Sequence, residues 1–308
     1  MCCNSGHVKR NGKSKQGRQR WYCLDCHSTY VWKNPSTHHY HWFKQWIIEG
    51  YSVRQLSSIS KISQSTLKRC IRFYLERPPT NPFVSSSVRY IICDGTFLEH
   101  RTGIYAMMNA NSKRLMYAAY DMPEGSHKLY VEYQTLSANG FTPVSATVDG
   151  NPQQIKYLRL TWPSIIIQRC IVHIQRQGLS WCRRNPKRTD AKHLRKIFLR
   201  ICKVKTASDV RQIKKDIFAW ERRFGPAIVH STDRGWVFGD LLRARSMILK
   251  SLPDLFHFVH NKNIPSSTNT LESYFSRLKE HYRHHRGLAV HHRDAYFRWY
   301  FYLVPGKK

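Results

Sequence analysis

Tyr90-Ile91-Ile92-Cys93-Asp94-Gly95 and Val144-Ser145-Ala146-Thr147-Val148-Asp149-Gly150 are two apolar runs, each closed by an Asp-Gly step. An apolar run of this length bounded by a turn residue reads as a buried strand. A carboxylate at the end of such a strand is held rigidly, and the glycine after it lets the backbone turn and a substrate approach. A single Asp after a strand is most often a turn-former. Two such steps carry more weight here because acids are scarce, with 19 Asp and Glu against 51 Lys and Arg in 308 residues. The pattern suits a divalent-metal site in a protein that binds a polyanion.

Around these runs the strand pattern extends to Arg89–Asp94, Ile104–Asn109, Leu115–Asp121 and Val144–Asp149, with a helix near Leu129–Asn139. Asp121 also closes a strand and reads as a turn residue. A further strand, Ser164–Gln168, precedes Arg169-Cys170-Ile171-Val172-His173. Three strands, a helix and a fourth strand make an α/β domain. Residues 180–262 read as helical and basic, as in Ala191–Cys202 and Ser208–Phe224; a last helix covers Leu271–Tyr282, and an aromatic tail, Tyr296–Tyr302, follows.

The net charge of +32 names nucleic acid as the first partner to expect. With 41% hydrophobic residues the chain can still build a core. No apolar run approaches the roughly 20 residues that span a bilayer, so no membrane is expected. No N-terminal apolar segment suggests secretion, and the expected location is the cytoplasm. Nine cysteines in a chain of this size fit a reducing compartment with a metal site better than a disulfide framework.

Residues 1–36 are polar, basic and Cys-rich. Cys23-Leu24-Asp25-Cys26 is a metal knuckle, two thiolates on a tight turn suited to Zn²⁺. A zinc ribbon needs a second pair about 15–20 residues upstream, and Cys3 lies at that distance. Its C-x-x-C partner would fall one position before Met1, so a start upstream of Met1 is expected, with Cys2 or His7 as the alternative ligand. The expected zinc ligands are Cys3, Cys23 and Cys26. Residues 37–78 read as three short helices: Tyr40–Glu49, Val53–Ile59 capped by Ser52, and Gln64–Leu75 capped by Ser63. Gln64, Ser65, Lys68, Arg69 and Arg72 would then stand exposed on a recognition helix of a helix-turn-helix, ready for a major groove and its phosphates. Residues 79–88, rich in Pro and Ser, read as a linker to the domain at 89–308.

A third ligand is expected from a helix entering the site. In Ser266-Ser267-Thr268-Asn269-Thr270-Leu271-Glu272-Ser273-Tyr274-Phe275-Ser276-Arg277-Leu278-Lys279, Thr268 or Asn269 can cap and Glu272 falls in the first turn. Local pattern leaves two roles open for Glu272, metal ligand or capping-box partner; Glu280 and Asp233 are weaker candidates. Cys170 and His173, three apart, share a helix face if helical, and on local evidence read as packing residues.

Together these residues resemble the mutator-type DDE transposases of bacterial insertion sequences. The likeness runs over nearly the whole chain: a ribbon ending Arg20-Trp21-Tyr22-Cys23-Leu24-Asp25-Cys26, a helix-turn-helix, then Cys93-Asp94-Gly95-Thr96-Phe97, Val148-Asp149-Gly150 and Thr268 to Lys279. The resemblance implies a ribonuclease-H-like catalytic core interrupted by a helical insertion at about 180–262. It implies Asp94, Asp149 and Glu272 as the catalytic residues, holding two Mg²⁺ (or Mn²⁺) ions. The family's C-x-x-H signature matches Cys170 and His173 and draws them toward the site. The implied activity is cutting of DNA at the element's ends and transfer of the freed 3′-OH into target DNA. Arg277 and Lys279 would hold the DNA backbone. The implied partners are terminal inverted repeats, target DNA and further copies of the chain assembled on them, with no small-molecule substrate. A decayed or co-opted DNA-binding regulator, and a structure-specific nuclease on the same core, are the alternatives. The incomplete first knuckle is where the chain departs from the family.

Overall fold

The computed structural model describes residues 5–31, 39–80, 87–98, 103–233 and 235–306. The chain divides into two compact units, Met1–Arg77 and Pro78–Lys308.

In the first unit, β1 (Val8–Lys13), β2 (Gln19–Cys23) and β3 (Thr29–Val31) form an antiparallel sheet in that order. Three helices follow: α1 (Tyr40–Ile48), α2 (Val53–Ser60) and α3 (Gln64–Leu75). The starts of α2 and α3 follow the expected capping chemistry. Ser52 Oγ accepts from Gln55 N at 3.2 Å while Gln55 Oε1 accepts from Ser52 N at 2.9 Å. Ser63 Oγ accepts from Thr66 N at 3.3 Å. These bonds satisfy amides that would otherwise lack partners at the helix ends. Phe43, Trp46, Ile47, Leu56, Leu67, Cys70, Ile71 and Leu75 are buried, and they recur at helical spacing along the three segments.

The second unit is a mixed α/β domain. Its five strands are β4 (Tyr90–Phe97), β5 (Gly103–Asn109), β6 (Leu115–Tyr120), β7 (Ser145–Val148) and β8 (Ile166–Arg169), in the order β6-β5-β4-β7-β8. β6, β5 and β4 are antiparallel neighbours; β4, β7 and β8 are parallel. Helices α4 (His127–Ala138) and α5 (Pro152–Thr161) make the crossovers to β7 and β8. Leu129, Tyr133 and Leu136 of α4 and Leu158 of α5 share one core with Ile91, Cys93, Tyr105, Met107, Ala146 and Ile167 of the sheet. The chain then builds a helical body from α6 (Ile171–Cys182), α7 (Thr189–Ile201), α8 (Ala207–Val229) and α9 (Trp236–Ser251), with its own core around Leu194, Phe198, Ile213, Ile217, Leu241 and Ile248. Through α10 (His257–His260) it returns to the sheet, where α11 (Asn269–Arg283) contacts β4 and α12 (Val290–Leu303) contacts β6.

Four expectations change. Asp94 and Gly95 do not close β4; the strand runs on to Phe97, because β5 stays paired through Asp94↔Ala106 and Phe97↔Gly103. The parallel neighbour β7 pairs only as far as Ile92↔Thr147, so Asp94 still lies just past the end of that ladder. The aromatic tail Tyr296–Tyr302 belongs to a full helix, α12, whose Tyr296, Phe297, Tyr300 and Phe301 are buried. The helical body begins at Ile171, before 180, since Ile171 and Ile174 already belong to its core. The compact units part at Arg77 and Pro78, so Pro78 goes with the second unit. Among the described residues, no helix is long and apolar enough to cross a membrane.

Candidate metal centre

Asp94 sits in β4, and Asp149 directly follows β7, its parallel neighbour. Both carboxylates lie just past the end of the ladder that the two strands share, and so come together. A third, Glu124, arrives from the Pro123-Glu124-Gly125 turn between β6 and α4. Ligand oxygens of Asp94, Glu124 and Asp149 all lie within 4.8 Å of one another. Gly95 permits this approach: a Cβ at that position would stand 2.8 Å from Glu124 Cβ. Asp149 Oδ1 accepts from Asn151 N at 3.0 Å, and Asn151 in turn caps α5 through Gln153 N and Gln154 N. The aspartate is thus fixed by the same turn that starts the helix.

Three carboxylates in so small a space repel one another. Burial, then the charge of Asp149, pushes Asp94 up to about 8, with Glu272 adding to the rise. Burial, then Asp149 and Asp94, pushes Glu124 up to about 9. Glu124 Oε1 is buried without a hydrogen-bond partner. Hard oxygen donors and a buried oxygen without a hydrogen-bond partner fit a divalent ion of the Mg²⁺ class.

These shifts set the pH dependence of the metal-free protein. The unfolded chain releases the two protons near about 4. The folded chain keeps them up to about 8 and 9. It therefore binds more protons across that window, and stability falls as pH rises through it. Asp94→Asn removes the burden, so in EDTA the variant should unfold several degrees above the wild type at pH 8, with the gap closing by pH 5. Thermal unfolding from pH 5 to 9 reads this directly. Equal melting curves at both ends would count against a strained carboxylate cluster.

Glu272 comes from the first turn of α11, as expected, but with a different set of neighbours. Thr268 makes no side-chain cap to the helix, so Glu272 is not half of a capping box. Instead Thr268 Oγ1 donates to Glu272 Oε1 at 3.1 Å. Oε1 also lies 3.7 Å from His173 Nδ1, while Oε2 lies 3.7 Å from Arg176. Cys170 is the residue that starts α6, and His173 is in its first turn. Burial would raise the Cys170 thiol, but hydrogen bonds involving His173 and Thr268 outweigh it and hold the thiol below its usual value. The His173 imidazole is raised by the Cys170 contact against burial, with the Glu272 and Asp149 charges adding to it. The predicted Cys170 and His173 pair thus lies beside the carboxylates, and the charge of Glu272 reaches Asp94.

The other expected residues divide as follows. Gln64, Ser65, Lys68, Arg69 and Arg72 are all exposed on α3. Arg277 is exposed on α11. Lys279 lines a cavity of about 320 Å³ with Phe97, Leu98, Tyr282, Arg283 and Arg286. Cys23 is buried at the end of β2 and Cys26 lies on the turn after it; Cys2 and Cys3 lie outside the described residues. Asp121 is an exposed turn residue bonded to Lys128, and Asp233 faces Arg188 at 3.6 Å.

Two residues of the site carried no sequence signal. Glu124 sits in what reads as an ordinary Pro-Glu-Gly turn, and only the scarcity of acids could have flagged it. Arg169 ends β8 and lays its guanidinium over Gly150, donating to Asp149 O at 3.3 Å.

No protein-family model matches this chain, and no curated protein matches it.

Proposed function

We propose that this chain is a metal-dependent DNA-cutting and strand-joining enzyme, a transposase of the mutator type. The reading rests on one observation above the rest: Asp94, Glu124 and Asp149 converge just past the end of the ladder shared by two parallel strands, in a protein of net charge +32. Carboxylates set against a polyanion are unfavourable for mere binding; they become useful when cations bridge them to phosphate. On this reading the sheet and its helices are a ribonuclease-H-like core, α6 to α9 are its insertion, and the first unit is a zinc ribbon followed by a helix-turn-helix.

Asp94 and Asp149 hold Mg²⁺ (or Mn²⁺), with Glu272 completing the set and Glu124 adding a further oxygen. Two such ions, when bound, supply Lewis-acid polarisation of the scissile phosphate. The chain's own groups do the positioning. Arg169 fixes the backbone of Asp149 against Gly150. Arg277, Lys279, Arg283 and Arg286 offer cations to the DNA backbone. Phe97 is exposed three residues beyond Asp94, and beside these cations it makes a surface on which a base can stack. Gln64, Ser65, Lys68, Arg69 and Arg72 read the terminal repeats in a major groove. Cys3, Cys23 and Cys26 bind Zn²⁺. The enzyme works in the cytoplasm, at the nucleoid, as an oligomer on DNA.

The deciding experiment is a Mg²⁺-dependent cutting and joining assay on DNA carrying the flanking terminal repeats, with pre-cut ends as a second substrate. Joining of both supports a transposase. Cutting without joining makes it a nuclease, and binding alone makes it a regulator. Binding should also be steeply salt-dependent. With about six phosphates neutralised, affinity falls about a thousandfold between about 50 and 200 mM salt. Fluorescence anisotropy across that range measures the slope, and a flat response counts against a DNA partner.

A further inference from the structure

Glu272 belongs to one of two neighbouring sets of ligands of opposite chemical taste, and its charge reaches Asp94 in the other. On one side Asp94, Glu124 and Asp149 offer only oxygen. On the other, Cys170 Sγ and His173 offer sulfur and nitrogen, and with a Glu272 oxygen these three ligand atoms lie within 4.8 Å of one another. Tetrahedral zinc, with bonds of about 2.3 Å to sulfur and about 2.0–2.2 Å to nitrogen and oxygen, holds its ligand atoms about 3.3–3.6 Å apart. The separation of 3.7 Å between His173 Nδ1 and Glu272 Oε1 is close to that before any ion draws them in. The surrounding bonds are those that steady ligands from outside. Thr268 N donates to Cys170 Sγ at 3.4 Å, and Thr268 Oγ1 donates to Glu272 Oε1 at 3.1 Å. Oε1 is the carboxylate oxygen that faces His173, while Oε2 faces Arg176 at 3.7 Å.

We infer that Cys170, His173 and Glu272 form a binding site for a thiophilic divalent cation, Zn²⁺ above all, distinct from the oxygen-lined site next to it. Thiolate and imidazole favour zinc strongly over magnesium, and three carboxylates favour magnesium. The two sites therefore sort the ions, and they share Glu272. Resting on the function proposed above, zinc at the sulfur site takes Glu272 away from the magnesium site and inhibits cutting.

The test begins without DNA. Co²⁺ is titrated into the full chain and its thiolate-to-cobalt absorption recorded, for the wild type and for Cys170→Ser, Glu272→Gln and Cys23→Ser. Cys23→Ser separates off any cobalt bound near the N-terminus and should keep the signal assigned to Cys170. Cys170→Ser should lose one equivalent of cobalt with its charge-transfer band. Glu272→Gln, a change at a partly exposed side chain, should keep the band and weaken cobalt binding about tenfold or more. Zn²⁺ should displace the cobalt and Mg²⁺ should not. If Cys170→Ser and Glu272→Gln both titrate as the wild type does, the site is refuted, whatever the folding of either variant. The second arm adds Zn²⁺ to the Mg²⁺-dependent cutting reaction, each variant being compared with its own zinc-free rate. Inhibition in the wild type that is relieved in Cys170→Ser supports the shared glutamate, and equal inhibition in both overturns it. A protein that never cuts refutes the proposed enzyme, while the cobalt spectrum still decides the site.

Discussion

Asp149→Asn should abolish Mg²⁺-dependent cutting and joining while leaving DNA affinity within about twofold of the wild type. Metal-ion catalysis supplies several kcal/mol of transition-state stabilisation. Losing about 4 kcal/mol of it slows the reaction about a thousandfold, since each 1.36 kcal/mol is worth a factor of ten. The amide keeps the shape of the side chain, and its oxygen can still accept from Asn151 N, so the turn that starts α5 survives. Asp94→Asn should behave alike, because Gly95 N donates to Asp94 Oδ1 in a bond the amide oxygen can replace. The measurement is a paired one, rate and affinity on the same DNA. If both fall together, the aspartates are structural and the catalytic reading fails.

Gly150→Ala should do what the aspartate variants do not, and damage fold and activity at once. Gly150 has φ +117°, a conformation open to glycine and costly for alanine. An added Cβ would also stand 1.8 Å from Arg169 Nη2 and 2.1 Å from its Cζ. Backbone strain and overpacking each cost about 1–3 kcal/mol, so together about 2–6 kcal/mol of stability is at risk. Displaced, Arg169 loses its bond to Asp149 O, and the segment that carries the Asp149 carboxylate loses its backing. Chemical denaturation of Gly150→Ala, Arg169→Ala and the double variant separates the two terms. The clash vanishes once Arg169 is truncated, so the double variant should recover part of the loss, and the remainder measures the backbone strain. A Gly150→Ala protein as stable as the wild type would show that Arg169 swings away freely, and that the packing over Asp149 is loose.

Much of this site was legible because its chemistry is written locally. Asp149 ends a short apolar run and is followed by a glycine, and both signals adjoin it; the helix α5 that Asn151 caps went unread. Ser52 and Ser63 announced their helices for the same reason. Asp94 was found with its strand end misjudged: the extra length of β4 comes from pairing with β5, a partner that Tyr90–Gly95 does not contain. Glu124 went unseen because nothing near Pro123-Glu124-Gly125 distinguishes it from a solvent turn. Its place beside two aspartates depends on Gly95 and on the path of the chain from β6 to α4. The aromatic stretch Tyr296–Tyr302 has buried rings on nearly every side, so its periodicity is blurred, and only packing on β6 makes it a helix. Glu272 lay between these extremes. Its place in the first turn was readable, but its neighbours Cys170 and His173 are a hundred residues away in the chain.

The order of the elements along the chain also sets the order in which a ribosome delivers them. β4 and β7, with their aspartates, emerge early; α11 and α12, which contact β4 and β6, emerge last. Until then a nascent chain carries a sheet without two of its helices, and exposed apolar surface of that kind invites chaperones and aggregation. The same delay is a safeguard. The N-terminal unit, compact by itself, is finished long before Glu272 exists, so on the function proposed above a growing polypeptide meets DNA well before it has the means to cut it.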